Sequence, residues 1–304
     1  MKILLALDAK PASEKLVREA LNRSWPAGSS FLLVHVVDPL PFVKAPISIV
    51  PIRNAAHGEL ERLSKLLTAA GWSAETDVTV NNPRHAIADL AGSWCADLVM
   101  IGSRDPNPLT RLLLGSTARS VLRQAACSVE VVRYPIDGTG PQGGGMRVLI
   151  ATDGSEFSLE ALSSVANRPW PTGSEMRVIS VPELFLMPAV VPYVDLKEIE
   201  ELNSSFREKA AEFADAGSRT LATLNAKVSA VTPSPSVSPA NAILDEAQKW
   251  GAQMIVLGSH GRRGFDRWAM GSVSEHVAFH AHCSVEVIRD RKAQMEKRQE
   301  GERQ

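Results

Sequence analysis

Two arrangements of apolar residues alternate along this chain. Short runs that are nearly all apolar and rich in β-formers, such as Phe31-Leu-Leu-Val-His-Val-Val37 and Leu98-Val-Met-Ile101, are separated by longer stretches of helical periodicity. Over the first half this predicts strands near residues 2–8, 30–38, 74–80, 97–102 and 128–134. Helices are expected near 12–23, 53–70, 84–95 and 115–125. Strands apolar on both faces belong in a parallel sheet with helices on each side. The βαβα order makes that a doubly wound α/β domain.

The pattern then recurs. Met1-Lys-Ile-Leu-Leu-Ala-Leu-Asp8 matches Met146-Arg-Val-Leu-Ile-Ala-Thr-Asp153 at an offset of 145, as Asn22-Arg-Ser-Trp-Pro26 matches Asn167-Arg-Pro-Trp-Pro171. Further on the offset is 156: Gly102-Ser103 faces Gly258-Ser259, Gly115-Ser116 faces Gly271-Ser272, and Cys127-Ser-Val-Glu-Val131 faces Cys283-Ser-Val-Glu-Val287. A period this long is a duplicated domain, not a solenoid. The second copy carries about eleven extra residues, assigned to a long middle helix, roughly Leu196 to Leu224, and the loop Pro182 to Pro192. The boundaries drawn are a domain over 1–136, a glycine-rich linker over 137–145, a second domain over 146–290 and a charged tail over 291–304.

Length and charge narrow the partners. The 304 residues suit two ordinary domains, and 44% hydrophobic residues suffice for two cores. A formal charge of −1 removes the electrostatic case for nucleic acid. No apolar run approaches the ~20 residues of a membrane span. Three cysteines far apart suit a reducing compartment and no disulfide framework, so a cytoplasmic location is expected.

The chemistry concentrates after the fourth strand of the second copy. Gln253-Met-Ile-Val-Leu257 leads into Gly258-Ser-His-Gly261-Arg-Arg-Gly264, and a helical pattern follows Gly271-Ser272-Val273-Ser274. A strand, a glycine-rich turn and a helix start bring backbone N–H groups and the helix dipole to one point, as phosphate requires. The spacing is not that of a Walker loop. Ser272-x-x-Glu275 also reads as a capping box, so a plain strand–helix connection competes at this stage. His260 in the loop is either near the phosphates or a solvated donor. His276, His280, His282 and Cys283 diverge at a helix end, and a metal site there is not expected. Cys127 and Cys283, with Cys95 near a helix end, read as small packed thiols. Trp25 and Trp170 read as core plugs at helix ends. The Glu/Lys-rich helix from Leu196 reads as a solvated face or a lid beside the site. No nucleophile–base–orienter set is apparent.

Both halves together resemble a tandem universal stress protein. That family's nucleotide motif is Gly-x2-Gly-x9-Gly-Ser/Thr, which Gly258, Gly261, Gly271 and Ser272 fit in full. The resemblance implies two five-stranded parallel sheets of the adenine nucleotide alpha hydrolase-like type, strand order 3-2-1-4-5, with a crevice where strands 1 and 4 part. It implies ATP, with Mg²⁺ alongside, as the ligand. Ala151, Thr152, Asp153 and Val181 would meet adenine and ribose. Gly258, Gly261, Arg262, Gly271, Ser272, Val273 and Ser274 would hold phosphates. A turn-stabilising role is the alternative for Asp153, and a solvated loop position the alternative for Arg262. It further implies antiparallel pairing of the fifth strands, here Ser128–Arg133 with Ser284–Arg289 inside one chain, in a body able to dimerise. The first copy departs from the motif. Asp105 stands at the second glycine position, and Pro106 and Pro108 remove N–H donors. One working site, in the second copy, is therefore expected. A nucleotide-responsive protein, a slow ATPase or autophosphorylating enzyme using Ser272 or Ser274, and a nucleotide-free dimeric scaffold or chaperone-like protein all fit these residues.

Overall fold

A computed structural model describes residues 1–8, 13–42, 48–103, 114–133, 144–183, 196–261 and 270–289. The chain forms two compact units, the second running to Ile288, divided within the glycine-rich stretch 137–145. The first unit contains β1 (Lys2–Leu7), α1 (Ser13–Leu21), β2 (Ser30–Val37), α2 (Ile49–Ala69) and β3 (Ser73–Val80). It continues through α3 (Pro83–Ser93), β4 (Leu98–Gly102), α4 (Ser116–Gln124) and β5 (Ser128–Val132). Its strands lie in the order β3-β2-β1-β4-β5, all parallel. The apolar runs are the inner strands: Ile3, Leu4, Leu5, Leu98, Val99 and Met100 are wholly buried. Edge strand β3 alternates exposed and covered residues, as one-sided cover requires.

The second unit repeats this with β6 (Arg147–Ala151), α5 (Glu156–Ala166), β7 (Glu175–Ile179), α6 (Leu196–Leu221) and β8 (Lys227–Val231). α7 (Pro239–Trp250), β9 (Met254–Gly258), α8 (Ser272–His280) and β10 (Ser284–Ile288) complete it. The order is β8-β7-β6-β9-β10, again all parallel. The expected 3-2-1-4-5 arrangement is therefore present in each unit. α6, with 26 residues against the 21 of α2, holds only part of the extra length, and residues 184–192 of the expected loop lie outside the described set.

Two boundaries differ from the periodicity for identifiable reasons. α2 begins at Ile49, ahead of the expected 53, with Ser48 as N-cap. Pro51 falls in the first turn, where a missing N–H forfeits no intrahelical bond. α3 ends at Ser93, and Cys95 adopts φ 58. Its counterpart at the 156 offset is Gly251, also left-handed at φ 69. Cys95 is thus half-buried in a helix-terminating position that favours glycine, not a packed thiol like Cys127 and Cys283.

Both units place an ion pair inside. Arg23 meets Glu130 of β5 through both carboxylate oxygens, and Arg168 meets Glu286 of β10 at 3.0 and 2.9 Å. Glu286 is 1% exposed, so a carboxylate there needs a bidentate partner to be tolerated. The tryptophans also repeat: Trp25 Nε1 donates to the Ala20 carbonyl at 2.7 Å and Trp170 Nε1 to that of Val165 at 2.8 Å. Each indole closes the end of its helix against the core, as read from sequence.

Two outcomes are expected in chemical denaturation. Cys95→Gly relieves a left-handed cysteine and should raise stability by about 0.5–1 kcal/mol; a lowered midpoint would contradict the assignment. Arg168→Ala strands the Glu286 carboxylate and should cost about 3–5 kcal/mol.

Candidate functional site

The site begins where β6 stops. The Thr152 N–H still reaches the Ile179 carbonyl of β7 at 2.9 Å, and then the chain turns through Asp153, Gly154 and Ser155 into α5. Asp153 Oδ1 accepts from the Ser155 N–H at 3.0 Å and from its hydroxyl at 2.6 Å. The Ser155 hydroxyl in turn caps α5, accepting from the Ser158 N–H at 3.3 Å. Ser158 Oγ donates to the Ser155 carbonyl at 2.9 Å and lies 3.0 Å from Thr152 Oγ1. Gly154 has φ 77, and a Cβ there would stand 2.4 Å from the Phe213 ring of α6. Only glycine lets the turn adopt this conformation beneath that ring. The turn-stabilising role open for Asp153 is therefore real, and it runs through Oδ1.

The glycine loop supplies the facing wall. A Cβ on Gly258 would sit 2.6 Å from the backbone of Phe157, so β9 ends in contact with α5 itself. The Ser259 N–H continues the sheet to the Ile288 carbonyl at 2.9 Å. His260 is not the solvated donor its loop position suggested. It is 6% exposed, with Nδ1 3.0 Å from Ser259 Oγ and its ring centroid 5.1 Å from that of Phe157. At Gly261 a Cβ would lie 2.7 Å from Asp153 Oδ2, which places the second carboxylate oxygen directly over the loop. Residues 262–269, Arg262 among them, lie outside the described set. The chain returns at Gly271, whose N–H donates to the Ser259 carbonyl at 2.9 Å.

α8 then starts at Ser272 with Gly271 as N-cap and no side-chain cap. The capping-box reading of Ser272 and Glu275 is thereby corrected: Ser272 is one residue too far into the helix. The first N–H groups of α8, on Ser272, Val273 and Ser274, have no intrahelical acceptor and carry the positive end of the dipole. The Ser274 hydroxyl, expected to face phosphate, instead donates to the Gly258 carbonyl at 2.7 Å and is buried. Ser272 remains exposed.

Between these walls lies a cavity of about 480 Å³. Ala151, Thr152, Asp153, Val181, Gly258, Gly261, Gly271, Ser272, Val273 and Ser274 all line it. Val181 stands two residues past β7 rather than within it. The cavity has an apolar side, with Ile179, Ile243 and Leu257, and a side of backbone N–H groups at α8. Sequence reasoning missed Ser158, Ile179, Glu183, Ser236, Val237, Pro239, Ile243 and Leu257, which also line it. Ser158 had a signal, since Ser13 matches it at the 145 offset; the others arrive through the sheet order. The His276 and His280 rings stack at 4.1 Å; His276 Nε2 is 3.1 Å from Asn241 Oδ1 and His280 Nδ1 is 2.8 Å from the His276 carbonyl.

Comparison with known proteins agrees with this arrangement. The model of the universal stress protein family matches residues 1–133 and again 146–289. The chain belongs to the universal stress protein family. A universal stress protein of Mycolicibacterium smegmatis is 28% identical over 308 residues, covering 95% of this chain and 97% of its own length. A universal stress protein of Methanocaldococcus jannaschii is 30% identical over 141 residues, covering 44% of this chain and 82% of its own. Among solved structures, a universal stress protein of Archaeoglobus fulgidus superposes with a TM-score of 0.58 at 22% identity, covering 95% of this chain and 96% of its own, a likeness of fold.

The two universal stress protein domains differ at the site beyond the glycine motif. Leu7 replaces Thr152, Ala9 replaces Gly154, Lys10 replaces Ser155, His35 replaces Ser180 and Ala118 replaces Ser274. Asp8 is present, but its Oδ1 accepts from Ser13 Oγ at 2.8 Å, a bond that Ser158 does not make to Asp153. Ala118 has no hydroxyl to make the bond that Ser274 makes to the end of its strand. The departures at Asp105, Pro106 and Pro108 lie outside the described residues.

The Cβ distances rank the glycines. Gly258→Ala forces a backbone contact and should cost about 2–3 kcal/mol, whereas Gly271→Ala, 3.1 Å from the Ser259 carbonyl oxygen, should cost under about 1. Urea midpoints of the two variants check this, and the reverse ranking would refute the packing described.

Proposed function

We propose that the second domain binds ATP in this cavity and that the protein acts as a nucleotide-responsive stress or signalling protein. The observation that carries the reading is the cavity between Asp153 and the start of α8, which brings together a carboxylate, an apolar wall and helix N–H groups without an intrahelical acceptor. Adenine packs on Ile179, Val181, Ile243 and Leu257. Asp153 Oδ2, beside Gly261, accepts from a ribose hydroxyl. The phosphates meet the N–H groups of Ser272, Val273 and Ser274, where the helix dipole favours negative charge. The volume falls within the roughly 300–1,000 Å³ of small-molecule sites. Glycine at 258 and 261 lets the loop backbone lie against Phe157 of α5 and beside Asp153 Oδ2, which forms the floor of the cavity. Mg²⁺ would arrive on the phosphates, as it commonly does.

This favours binding over covalent chemistry. The Ser274 proton is committed to the Gly258 carbonyl, so of the two proposed phosphoacceptors Ser272 is the exposed one. A role as a nucleotide-dependent signal needs only differential affinity between states.

Calorimetric titration with Mg²⁺-ATP tests the reading. One site per chain is expected. Gly261→Asp sets a second carboxylate against Asp153 and the phosphates; two unit charges ~4 Å apart repel by about 4 kcal/mol at an effective dielectric of 20, so binding should weaken by ~100-fold or more. Undiminished affinity in that variant would sink the site assignment, and two equivalent sites would sink its restriction to the second domain.

A further inference from the structure

The Asp153 carboxylate is asymmetric. Its Oδ1 takes two hydrogen bonds from Ser155, at 3.0 Å from the N–H and 2.6 Å from the hydroxyl, while Oδ2 is held over Gly261. The Ser155 hydroxyl has one proton, and that proton goes to Asp153. Its lone pair takes the Ser158 N–H at the start of α5. One side chain therefore caps a helix and aims a carboxylate at the same time. We infer that Ser155 is the positioning residue that sets ribose recognition, by pinning Oδ1 so that Oδ2 faces the ligand.

Three further observations bear on this. Gly154 leaves no freedom in the turn, because its left-handed conformation lies under the Phe213 ring. Thr152 and Ser158 complete the chain of bonds: Gly154 N–H donates to Thr152 Oγ1 at 3.3 Å and Asp153 N–H to Ser158 Oγ at 3.4 Å. In the first domain Lys10 takes the place of Ser155, and Ser13 Oγ bonds the Asp8 carboxylate in its stead. An aspartate is present in both domains, then, but only in the second does a serine two residues on orient it. The partner chemistry is a furanose bearing free 2′ and 3′ hydroxyls, which a fixed carboxylate oxygen accepts from.

This inference rests on the cavity being an ATP site, and the test separates the two. ATP and 2′,3′-dideoxy-ATP are titrated into wild type, Ser155→Ala, Ser155→Thr and Ser155→Asp, with thermal unfolding of each alongside. Wild type should prefer ATP by about tenfold or more, the scale of a hydrogen bond to a charged group. Ser155→Ala should weaken ATP by about tenfold and leave the dideoxy analogue within roughly twofold, while Ser155→Thr, which keeps the hydroxyl, stays near wild type. Ser155→Asp still caps α5 and should keep its melting temperature, yet it has no proton to donate and should lose the preference for ATP. If Ser155→Ala weakens both ligands equally, or Ser155→Asp keeps the full preference, Ser155 only caps a helix and the inference is overturned. If wild type binds neither ligand, the ATP reading itself fails and the inference with it. If it binds both alike, only the ribose role of Asp153 fails, again with the inference.

Discussion

The site depends on how the glycine loop is closed. Two bonds do it: the Gly271 N–H to the Ser259 carbonyl, and the Ser274 hydroxyl to that of Gly258. Together they hold the first turn of α8 against the end of β9, whatever path residues 262–269 take between. Backbone N–H groups are useful to an anion only if they are fixed before it arrives. The same closure brings Gly261 to Asp153, because the return at Gly271 crosses the chain at Ser259 and His260. One wall of the cavity is thus locked to β9 and the other to β6, neighbouring strands in a parallel sheet.

The duplication separates residues that carry the fold from those that shape the site. Both domains place an arginine against a buried strand glutamate, and both cap a helix with a tryptophan N–H. These features lie away from the cavity, and removing either partner would leave an unmet polar group inside. At the cavity the copies diverge. Thr152, Gly154, Ser155 and Ser274 face Leu7, Ala9, Lys10 and Ala118. A universal stress protein domain evidently stands without those four residues, since the first domain has the same sheet.

Much of the fold was legible because its signals are local. All-apolar runs and helical spacing located the strands and helices, and the repeat confirmed each by a second instance. The misses were local too, but concerned ends. α2 starts at Ile49, ahead of the expected 53, because Pro51 sits in the first turn where no N–H is needed. Ser272 and Glu275 had the spacing of a capping box, yet the helix begins one residue earlier than a box requires. Cys95 gave no sign of its left-handed backbone except that Gly251 stands opposite it in the repeat.

The sequence by itself determined two α/β domains, their strand order through the family motif, and which copy retains the glycines. It could do so because apolar period, turn residues and repeats are written in short windows. It could not assign hydroxyls. Ser155, Ser158, Ser272 and Ser274 are alike as letters, and only the fold gives one to a carboxylate, one to a helix turn, one to the open side and one to a strand carbonyl. Nor could it show that Arg168 meets Glu286, more than a hundred residues on, or that His260 is packed beneath the loop. Such pairings are set by which strands become neighbours. In a parallel sheet, that is decided by crossovers spanning whole helices.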